Sequence, residues 1–202
     1  MPTALIIGGG LGMGPLADIV KALGNNFATL QMIVVAGSNS SLKARLERVS
    51  SSLQSPVKVL GFVENIHELM SASDFLVGKA GGLTCAEALA KGLPIFVVDP
   101  LPGQEVRNAE FLTGRGAAVQ TNGVRELVQK VAGCMREPAL LQKMAQRARE
   151  LGKPLAAREV ARLIVRLAEQ KSAAGSLRQI GGVDGDGFSR SRGCRQEAGR
   201  SV

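Results

Sequence analysis

The feature that most constrains this chain is a repeating alternation between short runs dense in Val, Ile, Leu and Ala and stretches whose apolar residues recur at helical spacing. The apolar runs fall at 3–7, 30–35, 57–60, 74–77, 95–98 and 117–120. The helical stretches fall at 14–23, 39–53, 66–71, 83–91, 105–113 and 124–136. Strands this short and this uniformly apolar suit a sheet covered on both faces, and single helices between them suit parallel pairing through right-handed crossovers. The predicted fold is therefore α/β, a doubly wound parallel sheet of the Rossmann-like kind. Two more helices are expected at 139–151 and 155–170, separated by Gly152 and Pro154. The remainder is rich in Gly, Ser and Arg, so the chain reads as a domain over 1–170 and a disordered basic tail over 171–202.

Composition removes several classes of function. There is no Trp or Tyr and there are only six Phe, which argues against single-stranded nucleic-acid binding by base stacking. Cys85, Cys134 and Cys194 are far apart and lack CxxC spacing, so neither a disulfide framework nor a zinc site fits, and a reducing compartment does. No apolar run approaches the roughly 18 residues of a membrane helix. The opening MPTALIIGGG carries no basic n-region or cleavage site, so no signal peptide is expected. The net charge of +8 divides into nineteen Lys/Arg against fourteen Asp/Glu before residue 171, and six against three from there on. Such an excess suits nucleic acid, an anionic membrane or a phosphate-bearing ligand without choosing among them.

Three loops carry the candidate chemistry. Gly8-Gly9-Gly10-Leu11-Gly12-Met13-Gly14 joins the first strand to the first helix, where ligands sit in open α/β sheets. Its glycines let backbone N–H groups approach an anion, with the helix's positive end behind them; a tight turn without a ligand is the alternative. A dinucleotide fingerprint fails on spacing, since Met13 and Pro15 stand where GxGxxG needs glycine, and there is no GxxxxGK[ST]. Lys79-Ala80-Gly81-Gly82-Leu83-Thr84 runs into a helix carrying Glu87. Glycines before a helix suit a diphosphate, and Glu87, on the same face as Thr84, suits two vicinal ribose hydroxyls. The same spacing also satisfies a capping box, Thr84-x-x-Glu87. Asp99-Pro100-Leu101-Pro102-Gly103-Gln104-Glu105 exposes an amide and a carboxylate suited to sugar hydroxyls, or else forms an ordinary helix start with Glu105 favoured by the dipole.

Taken together, the loops resemble the donor domain of family 28 glycosyltransferases, which have the two-domain GT-B fold; this chain would be its C-terminal half. The carriers are the run from Gly8 to Pro15, Gly61-Phe62-Val63-Glu64-Asn65-Ile66, the run from Lys79 to Leu89, Gly92-Leu93-Pro94, and Gly103-Gln104-Glu105-x-x-Asn108. GGGxGMGP and GQExxN are most similar to the glycolipid-forming branch, which includes monogalactosyldiacylglycerol synthases and processive diacylglycerol glucosyltransferases. The resemblance implies that Phe62, Val63 and Ile66 frame the uracil, that Gly81, Gly82, Leu83 and Thr84 cradle the diphosphate, and that Glu87 binds the ribose. It further implies that Gln104 and Glu105 read the hexose, that Asn108 supports their loop, and that Gly10, Gly12 and Gly14 face an interdomain cleft. Transfer would invert the anomeric carbon, with no metal or other cofactor in the donor site and with a lipid acceptor such as diacylglycerol.

The family's complete enzymes carry an acceptor-binding domain ahead of the first loop, and there the resemblance puts the catalytic base and the main membrane contacts. No catalytic residue is therefore expected in this chain, which alone should bind UDP-sugar weakly and transfer nothing. It would be a truncated product or one subunit of a split enzyme. The expected setting is cytoplasmic or organellar and peripheral to a membrane, reached through the missing domain or a separate subunit. The rival readings are a non-catalytic nucleotide-binding module, or the partner subunit of a split UDP-N-acetylglucosamine transferase. His67 reads as a solvated residue between Glu64 and Glu68, Cys85 as helix packing, and Arg158, Arg162 and Arg166 as a solvated stripe or an attraction for anionic headgroups.

Overall fold

The computed structural model describes residues 1–180, and each apolar run becomes a strand: β1 (Thr3–Ile7), β2 (Gln31–Val35), β3 (Val57–Leu60), β4 (Phe75–Gly78), β5 (Ile95–Val98) and β6 (Ala118–Thr121). Between them lie α1 (Leu16–Asn26), α2 (Ser40–Ser50), α3 (Ile66–Ser71), α4 (Gly82–Lys91) and α5 (Gln104–Gly114). Then follow α6 (Gly123–Arg136), α7 (Pro138–Leu151) and α8 (Ala156–Ile180). All strands pair in parallel, in the order β3-β2-β1-β4-β5-β6. This is the doubly wound order, in which the direction of winding reverses between β1 and β4.

The strands alternate their side chains between two cores. Ala4, Ile6, Met32, Val34, Phe75, Val77, Phe96 and Val98 face one side, where Leu16, Ile19, Val20 and Leu23 of α1, Leu46 of α2, and Leu127 and Val131 of α6 cover them. Leu5, Ile7, Val35, Leu76, Ile95 and Val97 face the other, covered by Met70 of α3, Cys85 and Ala88 of α4, Ala109 and Leu112 of α5, and Ala148 of α7. An edge-to-face pair, Phe75 and Phe96 with ring centroids 5.2 Å apart, fills the first core beneath the central strands. Residues Met1–Leu155 form one compact unit. The helix α8 belongs to a second and runs to Ile180, beyond the predicted limit at 170. The part of the expected tail from 181 to 202, including Cys194, lies outside the described residues. No helix among the described residues is long and apolar enough to cross a membrane.

Gly78 sets how closely the two central strands meet. It pairs with Ile7, and a Cβ placed on it would lie 2.5 Å from the Ile7 carbonyl oxygen. Gly78→Ala is expected to lower stability by about 1–3 kcal/mol in urea unfolding, because neither backbone can retreat within the sheet. An unchanged midpoint would contradict this packing.

Candidate functional site

The reversal between β1 and β4 sends α1 to one face of the sheet and α4 to the other, so the two connecting loops part above the strand ends. Between them lies a cleft of about 210 Å³ lined by Ile7, Gly8–10, Leu11 and Met13 from the first loop, Lys79, Gly81 and Thr84 from the second, and Leu101 and Glu105 from the third. Three loops that are far apart in sequence converge there.

The first loop is a compact turn. The amides of Gly12 and Met13 donate back to the carbonyls of Gly9 and Gly8 at 3.1 and 2.8 Å. Gly12 has φ +62°, and a Cβ on it would strike the Ala36 carbonyl, so turn geometry alone demands glycine there. Gly10 differs: its φ is not positive, and a Cβ on it would meet nothing within 4 Å. Neither backbone strain nor packing requires glycine at position 10, which lines the open cleft. Among the described residues the amides of Gly9, Gly10 and Leu11 donate to no protein acceptor.

The second loop enters α4 through Gly81, the N-cap, with no side-chain cap. Thr84 is thus the third residue of the helix, and the capping-box alternative for Thr84 and Glu87 is excluded. The first-turn amides of Gly82, Leu83 and Thr84 are free by helix geometry and carry the positive end of the dipole. Glu87, one turn further in, is exposed on the surface. Asn108, inside α5, donates its side-chain amide to the Ala80 carbonyl at 2.8 Å, so it holds the second loop, where the resemblance implied support for its own. Glu105 accepts the Leu101 amide at 2.7 Å, which closes the third loop and leaves its other oxygen uncommitted. At the start of α5, the Gln104 side-chain nitrogen lies 3.2 Å from where a Cβ on Gly82 would sit.

The structure therefore brings Gly10, Gly81, Thr84 and Glu105 together on the cleft wall. Gly82, Leu83, Gln104 and Asn108 stand at the adjoining helix starts. Gly12 and Gly14 belong to the turn behind the wall, against Ala36 and the Lys79 side chain respectively. Phe62, Val63, Ile66 and Glu87 do not line the cleft. Phe62 is 67% exposed in the loop after β3, whereas Val63 in the same loop and Ile66 at the start of α3 pack partly against the second core, and α3 rests on α4. His67 is exposed, as expected. Lys79, in sequence only the first residue of the second loop's motif, is the cation of the cleft. A lysine directly after a strand and before a double-glycine helix start was the signal available. Among the described residues there is no group of three His, Cys, Asp or Glu side chains placed to hold a metal ion.

With this geometry established, residues 3–160 match the profile of the glycosyltransferase family 28 C-terminal domain. The chain belongs to that family. It is 35% identical over 179 residues to the probable monogalactosyldiacylglycerol synthase 3, chloroplastic, of Oryza sativa subsp. japonica, covering 85% of this chain and 35% of that protein. It is 37% identical over 122 residues to the processive diacylglycerol beta-glucosyltransferase of Bacillus subtilis (strain 168), covering 60% of this chain and 32% of that one. The crystal structure of Acinetobacter baumannii MurG superposes with a TM-score of 0.67 at 26% identity, over 82% of this chain and 49% of MurG. The chain thus spans about a third of the length of these two curated relatives.

Cys85 packs behind the second loop in the core, and burial, followed by the Glu105 carboxylate, pushes its thiol up to about 11 from the ordinary 9.0. A thiol held protonated in this way is no nucleophile at neutral pH. The folded chain binds this proton more tightly than the unfolded chain, so its contribution to stability is intact below the ordinary value and is lost as pH rises toward the raised one. Burial raises the Cys134 thiol in the same direction. The urea midpoint is expected to fall between pH 9.0 and about 11, and Cys85→Ala is expected to remove part of that fall. A midpoint with the same pH slope in Cys85→Ala would contradict the assignment.

Proposed function

We propose that this chain is the UDP-hexose-binding domain of an inverting hexosyltransferase whose acceptor is a lipid alcohol such as diacylglycerol. The observation that carries the reading is the meeting of two amide-lined glycine loops at the winding reversal, with a carboxylate one turn inside the second helix. Uncommitted amides at Gly9–Leu11 and at the first turn of α4 match the needs of a diphosphate. Gly10 is glycine for no reason of the protein's own, which supports a ligand backbone lying against it. The exposed Glu87 can accept hydrogen bonds from both ribose hydroxyls, while beside the phosphates Gln104 can both donate to and accept from hexose hydroxyls and Glu105 can accept from them. Phe62 and Val63, in the loop before α3, and Ile66, its first residue, would frame the uracil.

In this reading the chemistry of the domain is electrostatic. As the acceptor oxygen attacks the anomeric carbon from the face opposite UDP, the glycosidic C–O bond breaks and negative charge builds on the leaving diphosphate. Helix-start dipoles and amides already aimed at that position stabilise it without reorganising. The base that takes the acceptor proton lies outside this chain, and the donor site uses no metal. The relatives named above carry diacylglycerol or its galactolipid in their names, and the plant relative is described as chloroplastic. They support a lipid acceptor, and an enzyme working on such a lipid would act peripherally at a cytoplasmic or organellar membrane.

Isothermal titration of the chain with UDP, UDP-glucose, UDP-galactose and UDP-N-acetylglucosamine tests the reading. UDP is expected to bind, and Glu87→Ala to weaken it by roughly 10- to 100-fold, the worth of hydrogen bonds to a charged group. Absence of UDP binding at millimolar concentration would sink the proposal.

A further inference from the structure

We infer that Lys79 is the charge partner of the donor's diphosphate, a binding residue that bridges the two glycine loops. The inference rests on the donor-domain reading above and assigns a side chain that neither the loops' amides nor the family match required. Of the side chains that line the cleft, Lys79 is the one cation and Glu105 the one carboxylate. A diphosphate entering there meets repulsion from Glu105, which amide dipoles offset only in part, and a full positive charge on the same wall offsets directly. Lys79 is half-buried and makes no salt bridge among the described residues, so its ammonium is not already neutralised.

Its route across the cleft is specific. Lys79 follows the last residue of β4, yet its Cε lies 3.5 Å from where a Cβ on Gly14 would sit, so the stem runs from the second loop over to the first. Gly14 has φ +106°, and its bare backbone is the surface against which the stem lies. The loop that carries Lys79 is fixed behind by buried Ala80 and the hydrogen bond from Asn108. A lysine anchored at its base, laid along the opposite loop and free at its tip can reach oxygens held by both sets of amides. A compact point charge suits this task, since the oxygens it meets change as the glycosidic bond breaks.

The test is titration of the 202-residue chain and its Lys79→Gln and Lys79→Arg variants with UDP and with uridine, each variant first matched to the parent in thermal unfolding. Lys79→Gln is expected to lose roughly 10- to 100-fold in UDP affinity while uridine is unaffected, and Lys79→Arg to recover most of the loss. Raising salt from about 50 to about 500 mM is expected to weaken UDP binding more in the parent than in Lys79→Gln, since a screened charge has been removed. Equal UDP affinity in Lys79→Gln, an identical salt slope, or a proportional loss of UDP and uridine overturns the assignment while leaving the donor-domain reading intact. A parent chain that binds no UDP overturns both.

Discussion

Everything at the site depends on the reversal of winding between β1 and β4. In a parallel sheet each strand must be followed by a crossover on one face or the other, and neighbouring strands whose crossovers leave on opposite faces cannot share the space above their carboxyl ends. Here α1 leaves toward the core built on Phe75 and Phe96, while α4 leaves toward the core of Leu76 and Val97. A crevice follows from topology before any side chain is chosen, and it is flanked by two helix N-termini. The positive ends of two dipoles and two sets of uncommitted amides then face one small volume.

The residues around that volume keep it open and stiff. Gly12 and Gly37 let the first loop lie against the end of β2, where a Cβ on either would strike backbone. On the other side, Asn108 ties α5 to Ala80, and Glu105 closes its own loop through Leu101. Donors held in place by the protein, rather than recruited by the ligand, are what a site needs if it is to stabilise charge that appears only in the transition state. The charges within the cleft are sparse and paired by kind, one lysine and one carboxylate, which suits a ligand that is anionic at one end and rich in hydroxyls at the other.

Much of this was legible in the sequence, and the reasons differ from element to element. The bounds of β1 and β3 follow from apolar runs cut off by Pro on one side and Gly on the other, β5 starts after Pro94 and α3 after Asn65, and such punctuation is local. Six strand–helix repeats imply a doubly wound parallel sheet with its loops at the strands' carboxyl ends, while the order that makes the three loops converge is seen in the structure. What sequence could not separate were roles that share one spacing. Thr84 and Glu87 fit a capping box as well as a ligand face, and only the start of α4 at Gly82 removes the first. Asn108 stands four residues after Gln104 and reads as support for its own loop, while its partner, Ala80, is 28 residues away. Lys79 carries a local signal, a lysine between a strand and a double-glycine helix start, but its stem's path over Gly14 is a tertiary fact that spacing does not contain. The run of α8 past residue 170 reflects Ala, Leu and Arg in a segment whose Gly and Ser suggested a break.

The central claim is that one pyrophosphate-sized anion sits where the three loops meet, and amide-resolved NMR of the chain titrated with UDP addresses it most directly. The largest shifts are expected at residues 8–13, 79–84 and 101–105, with Glu87 next. Shifts that instead cluster around the separate apolar groove of Val119, Cys134, Leu140 and Met144, or no shift in the glycine loops at saturating UDP, would contradict it.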